Sequence, residues 1–563
     1  MTGDQNSRIL AGIGVSPGVA IAPAVIVAPA MRAPADEPRT TDVEEEQARV
    51  RAVFAQVQSD FEQRAEKADE HARPILEAAA SMASDPGLHA AVDVELAGGK
   101  GPANAVAAAV EGYAALLREL GGYMAERVAD LEDVRDRAVA RILGVAEPGV
   151  PELHEPSILI AHDLAPSETA TLKPGTCLGI VTAAGGPTSH TAILAAQLGI
   201  PAVVQVPNSL SVSAGTLVAV DGGAGEVIVN PTSAETDGLL ERKRRRDTVL
   251  AGGFGPGRTS DGHPVPLLAN IGTLDDARRA SAQGVEGVGL FRTEFLFLDR
   301  EKMPSVEEQT QVYSEVFEEF PGKRVVVRTL DAGADKPLQF ADLGAEENPA
   351  LGRRGLRLSM ARPELLDAQL EALAAARSQS AADVRVMAPM VATLEEARWF
   401  VERVRAAGLP SAGVMIEVPA AALRSQSILQ DADFASLGTN DLSQYTMAAD
   451  RMQGELAALL NPWEPAVLDV VAAACAGGAA TGKPVGVCGE AGGDPLLALV
   501  LVGLGVSSLS MATGRVPAVW SSLRHHSLSH CQRLAAAARA ADTAEGARAA
   551  ALALADEAVH DLI

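Results

Sequence analysis

The second half of the chain alternates short apolar segments with charged segments of helical spacing. From about residue 260 onward, eight strand-like segments follow one another, mostly separated by stretches such as TLEEARWFVERVRAAG. The segments are VPLLANI, GVGLFRTE, VVVRTLD, VRVMAPM, GVMIEVP, FASLGTNDL, PVGVCGEA and SLSMA. Eight alternating strand and helix units predict a closed parallel (β/α)8 barrel.

The first half has a different order of patterns. Short strands punctuated by glycine and proline are predicted in 8–30, and strand patterns return in 156–230. Between them the chain is alanine-rich, charged and helical, and Thr41 and Glu44 have the spacing of a capping box. Two distant strand regions that flank a helical insertion predict one α/β domain.

These patterns predict a multidomain α/β protein. A charged helix containing ERKRRR and the segment AGGFGPGR predict a connection between the two halves. The expected parts are an α/β domain of 1–35 plus 145–231, an all-α insertion of 36–144, a linker helix and loop of 232–260 and a barrel domain of 261–563.

Composition excludes several classes of partner. The chain has 47 basic and 73 acidic residues, a net charge of −26, which argues against nucleic acid or an anionic membrane as partner. Its four cysteines form no CxxC pair, so neither a disulfide framework nor a zinc site is expected. Without a signal pattern, or an uncharged apolar run of about 18 residues, a cytoplasmic protein is expected.

Chemically versatile residues stand where the predicted barrel strands end, which is where barrels carry their active sites. Alone, an arginine after a strand usually makes a surface salt bridge, and a cysteine there is usually a small core residue. Five strand ends that carry three chemical types are harder to explain in that way. The residues are Arg292, Arg328, Glu417, Asn440, Asp441 and Cys488, with Arg451 ten positions after Asp441.

These residue types suit one kind of ligand. Arginines bind phosphate and carboxylate oxygens through charge-assisted bonds. A Glu and an Asp from different strands suit Mg²⁺, which commonly takes one or two carboxylates together with substrate oxygens. A thiol beside them can give or take a proton at carbon. The pattern predicts a small phosphorylated carboxylic acid bound with Mg²⁺.

A histidine turn, GGPTSHTAIL, lies at 185–194. Thr188 or Ser189 can cap a helix that runs to Leu198 and stops at Gly199. His190 then lies in the first helical turn, where free N–H groups and the helix dipole favour an anion. Two interpretations remain open, a phosphoryl carrier and a histidine that bonds a neighbour. Ser189 is a poor hydrolase nucleophile because the turn lacks the GxSxG elbow.

Several motifs together resemble the enzyme I family of the bacterial phosphotransferase system. The resemblance runs essentially from end to end, beginning with GVSPGVAIAPA. Its main motifs are GGPTSHTAILAAQLGIPAVV, LFRTEFLFLDR, VVVRTLDAGADKP, ENPALGRRGLR, MIEVPAAAL, LGTNDLSQYTMAADR and VCGEAGGDP. Single motifs are shared with phosphoenolpyruvate synthase and pyruvate phosphate dikinase.

The resemblance implies a mechanism. Phosphoenolpyruvate (PEP) and Mg²⁺ bind on the barrel, the N-terminal domain swings in, and the phosphoryl group moves to Nε2 of His190 and then to the carrier protein HPr. It also implies a carrier-binding role for the insertion, a homodimer formed through the barrel, and no partner among nucleic acids or membranes. The implied roles are phosphate and carboxylate binding by Arg292, Arg328 and Arg451, phosphate contact by Asn440, Mg²⁺ ligation by Glu417 and Asp441, proton donation by Cys488 and support of the histidine by Thr169.

Two departures and two alternatives remain. Pro187 stands where many family members carry arginine, and GEAGG replaces the commoner GELAG. A relative of PEP synthase or pyruvate phosphate dikinase would need a nucleotide-binding domain, and GFGPGR lacks the lysine of a P-loop. A catalytically silent regulatory scaffold would predict a damaged site, whereas every expected residue type is present.

Overall fold

The computed structural model divides the chain into two compact units, Met1–Lys243 and Arg244–Ile563. Each unit is described by itself. This division is coarser than the four predicted parts, whose boundaries stay a prediction. The description covers 7–563 except for 29–31, 40–41, 68–71, 121–126, 146, 152, 154, 165–167, 169–171, 174, 187–188, 298–299, 301, 333–337, 342–343, 345 and 452.

The first unit contains a mixed sheet with the strand order β1-β8-β7-β3-β4-β5-β6-β2. Strands β3 to β6 pair in parallel, and β1, β2, β7 and β8 are joined to the sheet by antiparallel pairs. The strands are β1 Arg8–Ala11, β2 Ile13–Ser16, β3 Val19–Ile26, β4 Ser157–Ala161, β5 Cys177–Thr182, β6 Ala202–Val204, β7 Leu217–Asp221 and β8 Glu226–Val229. The two distant strand regions therefore form one sheet, as predicted.

Helices separate β3 from β4. They bury a core of their own, with Phe54 and Phe61 at 1% exposure. Helix α1 begins at Val43, and the Asp42 side chain accepts from the N–H of Glu45 at 3.1 Å. Thr41, predicted to cap this helix, lies outside the described residues. These helices are α1 Val43–Lys67, α2 Ala72–Ala83, α3 Pro86–Ala97, α4 Pro102–Leu120 and α5 Val128–Leu143, and later in the chain come α6 His190–Leu198 and α7 Ser233–Ala251.

The second unit is a closed barrel whose strands all pair in parallel. Each of the eight predicted segments overlaps one observed strand, which confirms the predicted barrel. The strands are β9 Leu267–Ile271, β10 Gly287–Arg292, β11 Arg324–Arg328, β12 Asp383–Ala388, β13 Ala412–Ile416, β14 Phe434–Leu437, β15 Val485–Val487 and β16 Ser508–Met511.

Helices follow the barrel strands, and capping boxes at Thr273, Ser305 and Thr393 fix where three of them begin. The helices of this unit are α8 Leu274–Ala282, α9 Val306–Glu318, α10 Leu356–Ala361, α11 Pro363–Ser378, α12 Leu394–Ala406, α13 Pro419–Leu423, α14 Ser425–Asp431, α15 Thr439–Met447, α16 Pro465–Thr481, α17 Pro495–Gly503, α18 Val516–Arg524, α19 Leu528–Arg539 and α20 Ala544–Leu554.

The barrel strands are buried on both faces. Val325 and Val327 of β11 belong to the core shared with the surrounding helices, whereas Val326 between them belongs to a separate cluster of buried residues. This alternation follows from the two-residue period of a strand. It also explains why the strands read as continuous apolar runs in the sequence.

Two further observations concern the whole chain. Across the described ranges, no helix combines the length and the apolar character that a membrane span requires. All four cysteines are buried and none is in a disulfide.

Candidate active site

The carboxyl ends of the barrel strands surround one cavity. Strands β10 and β11 end at Arg292 and Arg328, and Glu417 and Cys488 directly follow β13 and β15. The structure brings together all seven residues that the sequence singled out on the barrel. The residues lining this cavity of about 200 Å³ include Arg292, Arg328, Glu417, Asn440, Asp441, Arg451 and Cys488.

Five further polar residues line the same cavity and were not singled out from the sequence. They are Asn270, Glu294, Asp331 and Arg354, and Glu490 is a fifth. Glu294 and Asp331 lie inside the quoted segments LFRTE and VRTLD, within three positions of a candidate arginine. A search for charged residues one turn beyond each strand end would have found both. Arg354 lies in the long connection after β11, where no strand end marks it.

Carboxylates hold two of the cavity's arginines. Arg328 donates to Glu294 at 3.0 Å and pairs with Asp331 at 3.2 Å. Arg354 bridges Asp331 at 3.0 Å and Asp441 at 3.2 Å. Burial alone would raise the pKa of Asp331, but Arg328 and Arg354 together lower it. The side chains of Arg328 and Arg354 are therefore held in place by carboxylates of this chain.

Glu417 lies at the centre of this charged group and is 1% exposed. Its Oε1 accepts from the N–H of Met390 at 2.6 Å, and Met390 adopts a left-handed φ of 57°. A non-glycine residue in that region stores strain, which is common at functional sites. Burial, together with the charges of Asp441 and Asp331, raises the pKa of Glu417 to about 8. Desolvation and the two neighbouring carboxylates thus disfavour the charged form of Glu417.

The Cys488 side chain is 3% exposed. Its Sγ lies 3.6 Å from the carbonyl oxygen of Leu437. Asn270 donates to the Cys488 carbonyl at 2.9 Å and accepts from Ser510 at 2.6 Å, which fixes the end of β15. Burial is the main cause that raises the pKa of Cys488 to about 11. The thiol therefore keeps its proton at neutral pH.

The helix that follows the histidine turn begins and ends where the sequence predicts. Helix α6 begins at His190, and the Ser189 hydroxyl caps it by accepting from the N–H of Ala192 at 3.3 Å. The helix ends at Leu198 and Gly199 takes a φ of 66°. Thr169, Pro187 and the His190 side chain lie outside what is described, so the predicted support of the histidine by Thr169 stays a prediction.

Comparisons with known proteins give a family. Profiles of PEP-utilising enzymes match 254–528 as the PEP-binding domain, 153–225 as the mobile domain and 11–127 as the N-terminal domain. A phosphoenolpyruvate-protein phosphotransferase of Streptomyces coelicolor is 52% identical over 526 residues, 93% of this chain and 95% of that protein. One of Haloferax volcanii is 39% identical over 499 residues, 86% of this chain and 87% of that protein.

A solved structure is also similar. The NMR solution structure of an enzyme I (nEIt) has 36% sequence identity, covers 42% of this chain and 99% of its own, and gives a TM-score of 0.39. The family profiles and the barrel site define the class of PEP-utilising enzymes. The chain belongs to the family of the phosphoenolpyruvate–protein phosphotransferases, the enzyme I family.

Proposed function

We propose that this enzyme transfers the phosphoryl group of PEP to His190 and then to a histidine of the carrier protein HPr. The observation that carries the proposal is the cavity in which four arginines, five carboxylates and a thiol meet. These groups match the phosphate, the carboxylate and the enol carbon of PEP. The related phosphoenolpyruvate-protein phosphotransferases supply the reaction class.

The arginines bind and orient the substrate. Arg292, Arg328 and Arg451 contact the phosphate and the carboxylate, and Asn440 donates to a phosphate oxygen. Since phosphoryl transfer depends mainly on positioning and on neutralising charge, fixed guanidinium groups supply most of what the reaction needs. Loss of one of them should raise the barrier by about 3–4 kcal/mol, by analogy with the loss of one oxyanion donor.

The residues at the cavity fit Mg²⁺. Glu417 and Asp441 are buried beside each other's charge, and Mg²⁺ prefers one or two carboxylates with substrate oxygens. In the described part of the chain, no group of three or more Asp, Glu, His or Cys side chains has the geometry of a metal site. The two carboxylates would hold the ion together with oxygens of PEP. When bound, Mg²⁺ neutralises charge on the phosphate.

The chemical step uses two groups of this chain. Nε2 of His190 attacks phosphorus, and the bond between phosphorus and the enol oxygen breaks. The Cys488 thiol gives its proton to C3 of the resulting enolate, so pyruvate leaves, and the thiolate regains a proton from water. A thiol that stays protonated at neutral pH suits this role.

Labelled PEP tests the proposal. With Mg²⁺ the protein should acquire acid-labile, base-stable label, and His190→Ala should abolish it. Ser189→Ala is the matched control, since it alters the same turn but keeps the imidazole. Label that survives His190→Ala would place the acceptor elsewhere.

Two partners complete the proposal. Purified HPr should take the label from the phosphorylated protein, and lack of transfer would contradict the carrier assignment. A homodimer formed through the barrel is expected, and sedimentation of the intact protein would show it as twice the chain mass. The predicted cytoplasmic location stays a prediction.

A further inference from the structure

The cavity has a polar rim and an apolar floor. Side chains two positions apart in a strand point to the same side. Leu290 therefore lies beneath Arg292 on β10, and Met415 lies beneath Glu417 after β13. Leu290 and Met415, here called the floor, both line the cavity and are 5% and 1% exposed.

The Met415 side chain lies close to Arg328 and to the backbone of Gly438. The Met415 Sδ lies 3.7 Å from Nη1 of Arg328. A Cβ on Gly438 would come within 3.1 Å of that sulfur and within 2.8 Å of Glu417 Oε2. The thioether is therefore enclosed by Arg328 on one side and by the Gly438 backbone on another. It has little freedom to move away from a ligand.

Cys488 adjoins the same floor, because it packs in one buried cluster with Leu290 and Met415. Under the proposed function, on which this inference rests, the Cys488 thiol gives its proton to C3 of the enolate. C3 must then lie against the floor, while the phosphate and the carboxylate lie at the arginine rim. The carbon end of the substrate is thus the end that meets packed apolar side chains.

We propose that Met415 and Leu290 determine which enol phosphates the enzyme accepts, by limiting the group on C3 to an unsubstituted methylene. The ligand class is the enol phosphates of 2-oxo acids. A methyl group on C3 would have to displace side chains from a close-packed interior. The charged groups above the floor prevent the substrate from shifting upward without losing its arginine contacts.

The test compares PEP with the Z and E isomers of phosphoenol-2-oxobutyrate, which carry one methyl group on C3. With Mg²⁺ and an excess of HPr as the phosphoryl acceptor, release of 2-oxo acid gives kcat/KM for each substrate. The variants are Met415→Ala and Met387→Ala. Met387 is the matched control, because it is fully buried in the same cluster but is not among the described residues that line the cavity.

The unaltered protein should prefer PEP over the better of the two isomers by roughly 10- to 200-fold, the usual range for one methyl group. Met415→Ala should lower this preference by about tenfold, chiefly by raising kcat/KM for the methylated substrate. Met387→Ala should leave the preference unchanged.

An unchanged preference in Met415→Ala would overturn the proposal. So would an equal drop in both alanine variants, since that would indicate general loosening of the barrel interior. If circular dichroism shows that Met415→Ala does not fold, Leu290→Val replaces it under the same criteria.

The proposed function fails separately, because it requires the unaltered protein to release pyruvate from PEP. If the unaltered protein releases no pyruvate, calorimetric affinities for PEP and the two isomers test the role of the floor. A tighter affinity for PEP that Met415→Ala reduces would support it, and equal affinities would overturn it.

Discussion

Asp331 is the carboxylate on which two of the cavity's arginines depend. It pairs with Arg328 at 3.2 Å and with Arg354 at 3.0 Å, and its side chain is 3% exposed. A buried charge that loses its partner is costly, whereas an exposed pair contributes little. Asp331 therefore contributes both to the stability of the barrel and to the positions of Arg328 and Arg354 in the cavity.

Replacement of this carboxylate should destabilise the barrel. Asp331→Asn leaves two buried guanidinium groups poorly compensated, so the free energy of unfolding should fall by about 3–5 kcal/mol. Denaturant unfolding measures the change. Asp383, whose pair with Arg385 is 47% exposed on the Asp side, is the control, and Asp383→Asn should cost about 1 kcal/mol or less. Equal losses in both variants would contradict the account.

Cys488 should affect chemistry more than binding. Cys488→Ala removes the proposed proton donor but leaves the arginines in place, so pyruvate formation should slow by roughly 10²–10⁴-fold. The affinity for PEP, measured by calorimetry with Mg²⁺, should change little. Lost affinity with an unaltered chemical step would refute the proton-donor role.

Among single residues, the sequence identifies those site residues that stand at the end of an apolar strand or directly after it. Arg292 and Glu417 were found because a charge at the end of a buried run is conspicuous. Arg354 was not, since its place in the cavity depends on how the connection after β11 folds back toward Asp331. The spacing of neighbouring residues in the sequence does not predict how this connection folds.

At the scale of elements, one neutral histidine joins the end of α18 to the chain after α20. His526 donates from Nδ1 to the Ser522 carbonyl at 2.8 Å, and its Nε2 accepts from the N–H of Asp556 at 3.0 Å. The second bond requires an unprotonated Nε2. Burial is the main cause that lowers the pKa of His526, with the neighbouring His530 and His525 acting in the same direction and Asp556 opposing them.

This geometry gives stability a pH dependence. Because the pKa of His526 is lower in the folded state than its ordinary 6.5, its contribution is complete above that pH. It is lost as pH falls below 6.5 through the folded value. Unfolding by urea at pH 8 and at mildly acid pH should show this loss, and His526→Gln should reduce it. The exposed His560→Gln is the control, and an equal effect from both would contradict the account.

The barrel strands were predictable as elements because each is buried on both faces and reads as an apolar run. The first helix shows the limit of local signals. Thr41 and Glu44 have capping spacing, but Thr41 lies outside the described residues, and the described bond at the start of this helix is accepted by Asp42. Spacing alone does not choose between two neighbouring residues that can both accept from N–H groups of the first helical turn.

At the scale of the whole molecule, the chemistry is divided between the two units. His190 belongs to Met1–Lys243, and every described cavity residue belongs to Arg244–Ile563. The second unit also closes on itself, since Arg245 makes two bonds to Asp561, at 2.7 and 3.0 Å. The sequence predicts a linker helix and loop at 232–260, and the boundaries of that linker stay a prediction.

The barrel unit should therefore bind substrate alone. A fragment of 244–563 should bind PEP in the presence of Mg²⁺ by calorimetry, yet acquire no label. A fragment of 1–243 should carry the acceptor histidine but not bind PEP. A folded barrel fragment without affinity for PEP would show that the cavity is incomplete as described.

The central claim is that His190 receives the phosphoryl group as pyruvate forms. Phosphorus NMR of the intact protein, mixed with Mg²⁺ and one equivalent of PEP, tests it most directly. The account predicts loss of the PEP signal, one new signal of an Nε2-phosphohistidine that is absent in His190→Ala, and an equal amount of pyruvate. Pyruvate released together with free phosphate, or a phosphohistidine that persists in His190→Ala, would contradict it.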